Sequence, residues 1–402
     1  MTITRRESLT LIAATAALGA ANAESVAAYD VAVIGAGAFG AWTAERLKSA
    51  GASVVLIDQY GVAHARASSA GESRVTRISY GGDPLYSEMA RESLLAWREL
   101  SARAATPLYY GAGVLWFSPA DDQYMAKSLQ YLKATQTAHM TFTADGMRRL
   151  YPQMRFAEGE AGFLEVESGA LIAGRGVQTA VALAQVPVVL ARCGPPRKIA
   201  DAYEPAPGVR AKSLVYACGP WLAKIFPDLL GRRIVATRQE VLHFGPAPGD
   251  DRFGPRKLPV WADFNKGAIV YGIPDLEGQG FKLAFDAHGA EVDPDSEDRR
   301  VDRKTVENAR DYLKTRFPDL ADAPLVHSRV CQYENTSNGD FLIDRHPEFD
   351  DVWLVGGGSG HGFKHAPAVG RIVAGHLADP KKPVEPRFSL QSKETVRKRT
   401  VF

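Results

Sequence analysis

Tyr29-Asp-Val-Ala-Val-Ile-Gly-Ala-Gly-Ala-Phe-Gly40 is the stretch on which the fold of this chain turns. The apolar run that ends at Ile34 predicts a buried strand, and Ala41-Trp-Thr-Ala-Glu-Arg-Leu-Lys-Ser-Ala50 predicts a helix that Gly51 ends. A second strand, Ser53-Val-Val-Leu-Ile57, closes in Asp58. Strand, glycine turn, helix and strand form a βαβ unit. In Gly35-x-Gly37-x-x-Gly40 the first glycine permits the tight turn. The second lets the backbone approach a pyrophosphate, and the third lets the helix pack closely. The motif opens the helix, whose N-terminal N–H groups suit a phosphate, and Ala38 and Phe39 between its glycines are candidate cofactor contacts. Asp58 lies 23 residues after Gly35, near the spacing of a ribose-binding carboxylate. The motif indicates a dinucleotide and does not separate FAD from NAD.

Working outward, helical patterns run from about Leu85 to Leu100, then near 121–135 and 144–150, with a strand Val114-Leu-Trp-Phe117 between. A second βαβ-like piece runs from a helix Val177–Ala184 through a strand Val186–Leu190 to Leu214-Val-Tyr-Ala217. Residues 235–290 read as antiparallel strands: Val235-Ala-Thr, Glu240-Val-Leu-His-Phe, Ala268-Ile-Val-Tyr-Gly and Gly280-Phe-Lys-Leu-Ala. A helix at about 303–316 precedes a strand near Val330. The last unit is the strand Val352-Trp-Leu-Val355, the loop Gly356-Gly-Gly-Ser-Gly-His-Gly362, and a helix to about Leu377. A second glycine-dense loop so far downstream fits one long ligand touched by both ends of the chain, which favours FAD over a nicotinamide cofactor. The pattern predicts an α/β protein of two interleaved domains. A doubly wound, Rossmann-like cofactor domain takes residues 24–110, 165–234 and 330–385. An antiparallel-sheet substrate domain of α+β type takes 111–164 and 235–329, and 386–402 form a C-terminal tail.

Composition agrees with a globular chain: of 402 residues, 46% are hydrophobic and 23% charged, with 37 Gly and 24 Pro. The net charge of +2 is spread without single-sign blocks, so a nucleic-acid partner has no electrostatic support. The first 23 residues read as an export leader. Arg5-Arg6 precede Ser8-Leu9, and 16 uncharged residues lead to the small-x-small ending Ala21-Asn22-Ala23. That run is short of the ~20 residues of a membrane span, and it resembles a twin-arginine signal. The expectation is therefore cleavage near Ala23, use of the twin-arginine export machinery and a periplasmic mature chain with no membrane span. Three cysteines, Cys193, Cys218 and Cys331, leave at least one thiol unpaired in such a compartment. No metal-spaced Cys/His cluster and no Ser-His-Asp arrangement is visible, and no metal is expected.

Four segments in register, Gly35–Gly40, Ser68-Ser-Ala-Gly-Glu-Ser-Arg-Val-Thr-Arg77, Val330-Cys-Gln-Tyr333 and Gly358-Ser-Gly-His-Gly-Phe-Lys364, together resemble monomeric sarcosine oxidase and N-methyltryptophan oxidase. These are D-amino-acid-oxidase-like flavoenzymes with the glutathione-reductase-type flavoprotein fold. The resemblance runs from about Asp30 to Leu377 and implies FAD attached through a cysteine thioether, here at Cys331. It implies cofactor contacts from Ser68, Ser69, Arg74, Gly219, Trp221, Gly358, Gly360, His361, Gly362, Phe363 and Lys364. Arg74 would lie against the flavin ring, while Arg77 and Lys364 would grip a substrate carboxylate. Spacing alone lets Arg74 and Arg77 share a face of a helical or turning segment. Alternation alone puts Lys282 on a solvent face, whereas the resemblance puts it over the flavin as the cation that assists oxygen. Tyr271 and Tyr333 match pocket tyrosines. Asp286 stands where the family has a pocket histidine and Ala70 where it has one beside the flavin; His288 is a nearby replacement imidazole.

The implied reaction is oxidation of the C–N bond of an N-alkyl amino acid, or a primary one. The products are an aldehyde or keto acid, amine and hydrogen peroxide, with oxygen as acceptor. Other readings are a flavin dehydrogenase serving a quinone or carrier, a flavin-binding protein without turnover, and a nicotinamide dehydrogenase.

Overall fold

The computed structural model describes residues 27–265, 269–287 and 289–394. The expected leader, residues 1–23, and His288 lie outside the described residues. So do Ala268 and the end of the tail.

The first sheet is built on the strand Ala27–Ile34, with Val54–Asp58 parallel on one side and Val209–Tyr216 parallel on the other. Val188–Leu190 continues it parallel beyond Val54–Asp58, and Phe349–Gly356 runs parallel beside Leu214–Tyr216. Short antiparallel strands, Lys198–Ile199, Ala202–Ala206 and Leu342–His346, complete the eight. Successive residues of these strands go to opposite faces, and both faces are covered. Val31, Val33, Val54 and Leu56 join one apolar cluster with Trp42, Val177 and Val369 of the helices Ala38–Ser49, Ala173–Ala184 and Ala366–Ala378. Ala32, Ile34, Val55 and Ile57 join another with Tyr203, Tyr216 and Phe226. A parallel sheet buried on both sides needs this near-continuous apolar run rather than an alternating one.

The second sheet also has eight strands, in the order 325–336, 234–244, 281–286, 269–273, 260–263, 114–119, 160–165, 139–143. All its junctions are antiparallel except Val260–Asp263 with Val114–Pro119, which is parallel. Trp261, Phe281, Leu283 and Phe244 bury one face against Leu313 and Phe317 at the end of the helix Arg303–Arg316. The two strands expected at 235–237 and 240–244 are one strand, Ile234–Phe244, because Leu325–Thr336 pairs with it along its whole length. Leu325–Thr336 runs through the junction expected between residues 329 and 330. Ser73–Thr76 is an extended strand in a small third sheet with Gly169–Ile172 and Tyr109–Tyr110, so the helical spacing read for Arg74 and Arg77 does not hold. Arg77 lies one residue past the end of that strand, where alternation no longer dictates its side. No helix among the described residues is long and apolar enough to cross a membrane.

Candidate cofactor and substrate site

The turn after Ile34 is closed by backbone alone. Gly35 has φ +105°, and a Cβ there would stand 2.3 Å from the Ala217 carbonyl oxygen. A Cβ on Gly40 would stand 1.8 Å from the Gly35 carbonyl oxygen. Helix Ala38–Ser49 starts at Gly37 with no side-chain cap and no acidic residue in its first turn. The positive end of its dipole thus faces whatever occupies the space ahead of it. Asp58 ends the second strand, where Oδ2 accepts from Ala36 N at 2.8 Å and Oδ1 accepts from Tyr60 N and Gly61 N at 2.8 and 3.0 Å. It ties the glycine turn to the next loop, and a carboxylate still has lone pairs to offer.

Ahead of this turn lies a cavity of about 550 Å³. Of the residues expected to hold a dinucleotide, Gly35, Gly37, Ala38, Phe39, Asp58, Ser68, Ser69 and Arg74 line it. Gly219, Trp221, Cys331, Gly358, Gly360, Gly362 and Phe363 line it as well. Three expected residues do not. Gly40 is packed under the turn, while His361 and Lys364, the latter on the helical turn Phe363–His365, line a neighbouring cavity instead. The larger cavity suits FAD: residues of both glycine loops line it, and the buried Ser68 hydroxyl in its wall has no hydrogen-bond partner among the described residues. Cys331 is 8% exposed, its Sγ 3.6 Å from the Ser68 carbonyl oxygen and 4.0 Å from Arg74 Nη2. Cys193 and Cys218 also line this cavity, and all three cysteines are free thiols.

Glu334, unnoticed in the sequence, is buried in the same wall, where burial pushes its carboxyl up to about 7 against the pull of the Gly357 and Gly358 N–H groups. From about pH 4.3 to 7 the unfolded chain ionises this group before the folded chain does, so stability falls as pH rises, by on the order of 3 kcal/mol in total. Glu334→Gln should lack that slope and gain most at pH 8. Denaturation midpoints of both proteins from pH 4 to 8 check it, and equal slopes would clear Glu334 of this role.

A second cavity of about 100 Å³ abuts the first, sharing Arg74, Tyr333, Gly360 and Phe363 with it. Arg77, Tyr271, Lys282, Asp286, His361 and Lys364 line it, so every residue expected to meet substrate stands in one wall or another. Lys282 is 2% exposed rather than facing solvent, and its Nζ donates to the Ser73 carbonyl at 2.7 Å. Burial, and then the Arg74 charge, lowers the Lys282 ammonium to about 7. Lys364 Nζ donates to the His361 carbonyl at 2.8 Å, and burial followed by the Arg77 charge holds it well below its ordinary value. Arg74 donates to the Ser73, Ser68 and Ala70 carbonyls.

Sequence reading missed the supports of Arg77. Its guanidinium lies 4.0 Å from the centre of the Tyr80 ring and 5.2 Å from that of Trp116, and it donates to the Ser79 carbonyl and the Tyr124 hydroxyl. Buried Glu165 accepts from Ile78 N at 2.7 Å, Ser79 N at 3.0 Å and Trp116 Nε1 at 2.8 Å, fixing the backbone and ring around the arginine. Tyr80, three residues after Arg77, was within reach of a spacing argument; Glu165 left no local signal.

The profile of the family described as FAD dependent oxidoreductase (DAO) matches residues 30–376. The chain belongs to this family. Among curated members, the monomeric sarcosine oxidase of Streptomyces avermitilis is 31% identical over 86% of this chain and 92% of its own. The human peroxisomal sarcosine oxidase is 28% identical over 86% and 91%. The N-methyl-L-tryptophan oxidase of Escherichia coli is 27% identical over 88% and 96%. Among solved structures, NikD, an amino acid oxidase of nikkomycin biosynthesis, superposes with a TM-score of 0.76 at 20% identity over 90% of this chain and 97% of that one. The L-proline dehydrogenase of P. horikoshii gives 0.77 at 18% identity with the same coverage, and both share the fold. This DAO-family chain is thus a FAD-dependent amino-acid oxidoreductase.

Proposed function

We propose that this enzyme oxidises the C–N bond of a small N-alkyl amino acid, using water and molecular oxygen and releasing an aldehyde or keto acid, an amine and hydrogen peroxide. The observation that carries the reading is the convergence of Arg74, Arg77, Lys282 and Lys364 on a cavity of only about 100 Å³ beside the cofactor cavity. Four basic groups in so small a space call for an anion, and a carboxylate meets a guanidinium through two hydrogen bonds. Arg77, already held by Tyr80, Trp116 and Tyr124, and Lys364 bind the substrate carboxylate. An incoming carboxylate also offsets the burial cost that holds the Lys364 ammonium well below its ordinary value. Asp286 is the opposite charge in the wall and attracts the amine. Tyr271, Tyr333 and Trp116 exclude water. FAD, when bound, supplies the two-electron chemistry. Lys282 presents its ammonium, anchored on the Ser73 carbonyl, toward the shared wall where charge develops on oxygen.

The buried Cys331 thiol in the cofactor wall supports attachment of FAD through that sulfur. Acid precipitation should then leave the yellow colour on the protein, and Cys331→Ser should release it into the supernatant. A yellow supernatant from the unsubstituted protein would overturn the attachment. The paired arginines and the small-x-small ending of residues 1–23 support export to the periplasm.

The test of function is anaerobic mixing with N-alkyl and primary amino acids while the flavin absorbance is followed. Bleaching by an N-alkyl amino acid, with colour returning in air, is expected. Bleaching that air does not reverse would replace oxygen by a carrier as acceptor, and a flavin that only dithionite bleaches would sink the reading.

A further inference from the structure

Glu72, His243 and His327 are far apart in the sequence, and the fold brings one ligand atom of each to within 4.8 Å of the others. His327 and His243 are cross-strand partners on Leu325–Thr336 and Ile234–Phe244, and His243 is in turn the partner of Lys282 on Phe281–Asp286. One row across three strands therefore runs from surface to cavity. His327 Nε2 lies 3.0 Å from Glu72 Oε1, and its side chain is 44% exposed. His243 is 1% exposed, and neither of its ring nitrogens has a hydrogen-bond partner among the described residues. A buried imidazole left wholly unpaired is an anomaly that asks for a ligand.

We propose that Glu72, His243 and His327 bind a divalent zinc-class ion, with a fourth position open to water. Two imidazoles and one carboxylate suit zinc, copper or nickel better than calcium or magnesium, which prefer all-oxygen sets. Three protein ligands with an open position match the tetrahedral pattern, and the exposed His327 edge is the way in. Burial keeps the His243 ring neutral, which is its ligating form. Cations oppose the ion: Arg329 Nη1 lies 3.7 Å from Glu72 Oε1, and Arg74 and Lys282 face His243. Arg329 also donates to the Ala65 carbonyl, so it has an alternative anchor when the ion takes the carboxylate. The expectation of no metal rested on spacing along the chain, which is blind to ligands on three separate segments.

The test uses the full flavin-loaded chain, stripped with chelator, incubated with zinc chloride, desalted and analysed for metal. One zinc per chain is expected. Because His243 is buried, the decisive variants are His327→Asn and Glu72→Gln, with thermal melting as the check on folding. Each should weaken zinc binding by more than the ~10–100-fold that changes outside the ligand shell cost. His139→Asn, at a histidine remote from the cluster, should bind zinc as the unsubstituted protein does. No retained zinc, or retention unchanged by both ligand variants, would overturn the site. Metal analysis needs no turnover, so its outcome is independent of the substrate proposed above.

Discussion

Lys282→Met should slow the return of flavin colour in air by ~10²–10³-fold, the usual cost of removing one preorganised charge-stabilising donor. Anaerobic bleaching by substrate should stay within about tenfold of the unsubstituted protein, since Lys282 is not among the carboxylate-binding groups. Lys282 is buried on the cavity face of its strand, opposite Phe281 and Leu283, and its Nζ is fixed by the Ser73 carbonyl, so its charge has one position. Methionine keeps most of the volume and none of the charge, which leaves packing nearly intact. Stopped-flow mixing of the pre-reduced protein with oxygenated buffer measures the effect. An unchanged rate with oxygen would remove Lys282 from that step and favour a carrier as acceptor.

The second large effect belongs to the glycine turn. Gly40→Ala would put a Cβ 1.8 Å from the Gly35 carbonyl oxygen, a backbone atom that no rotamer change can move. Helix Ala38–Ser49 must then shift against the first strand, at a cost at or above the ~1–3 kcal/mol typical of overpacking. The protein should melt well below the parent and purify without colour. Gly37→Ala is the informative contrast. Its Cβ meets only the Ser69 hydroxyl, at 3.1 Å, so the fold should survive while the backbone is held off the phosphates. Thermal melts and flavin content of both variants separate a packing role from a binding role. Equal melting for the two variants would contradict this division.

The cofactor half was legible because its signals are local. Gly35, Gly37 and Asp58 act within one βαβ unit, and each stands where spacing put it. Lys282 shows where locality ends: alternation assigned it to solvent, and only the chains packed above Phe281–Asp286 make that face interior. Ile234–Phe244 read as two strands because Arg238 and Gln239 interrupt its apolar pattern, yet Gln239 is buried and the ladder is continuous. His361 and Lys364 shared a motif with the glycines of the cofactor loop, yet both line the other cavity, Lys364 from a short helical turn that the motif did not announce. Glu165 and Glu72 act on residues distant in sequence, which pattern reading does not reach.

Cys331 and Tyr333 sit two residues apart on one strand that Ile234–Phe244 holds in register along its length. Both side chains face the same way, one toward the cofactor and the other into the shared wall of both cavities. The Cys331 thiol and the adjoining pocket wall thus belong to a single part, like two teeth of one gear. A one-residue insertion upstream in this strand would turn both away together, so a redesign of substrate scope has no freedom here. The adjustable wall is on another strand, the run Ile269–Ile273 that carries Tyr271.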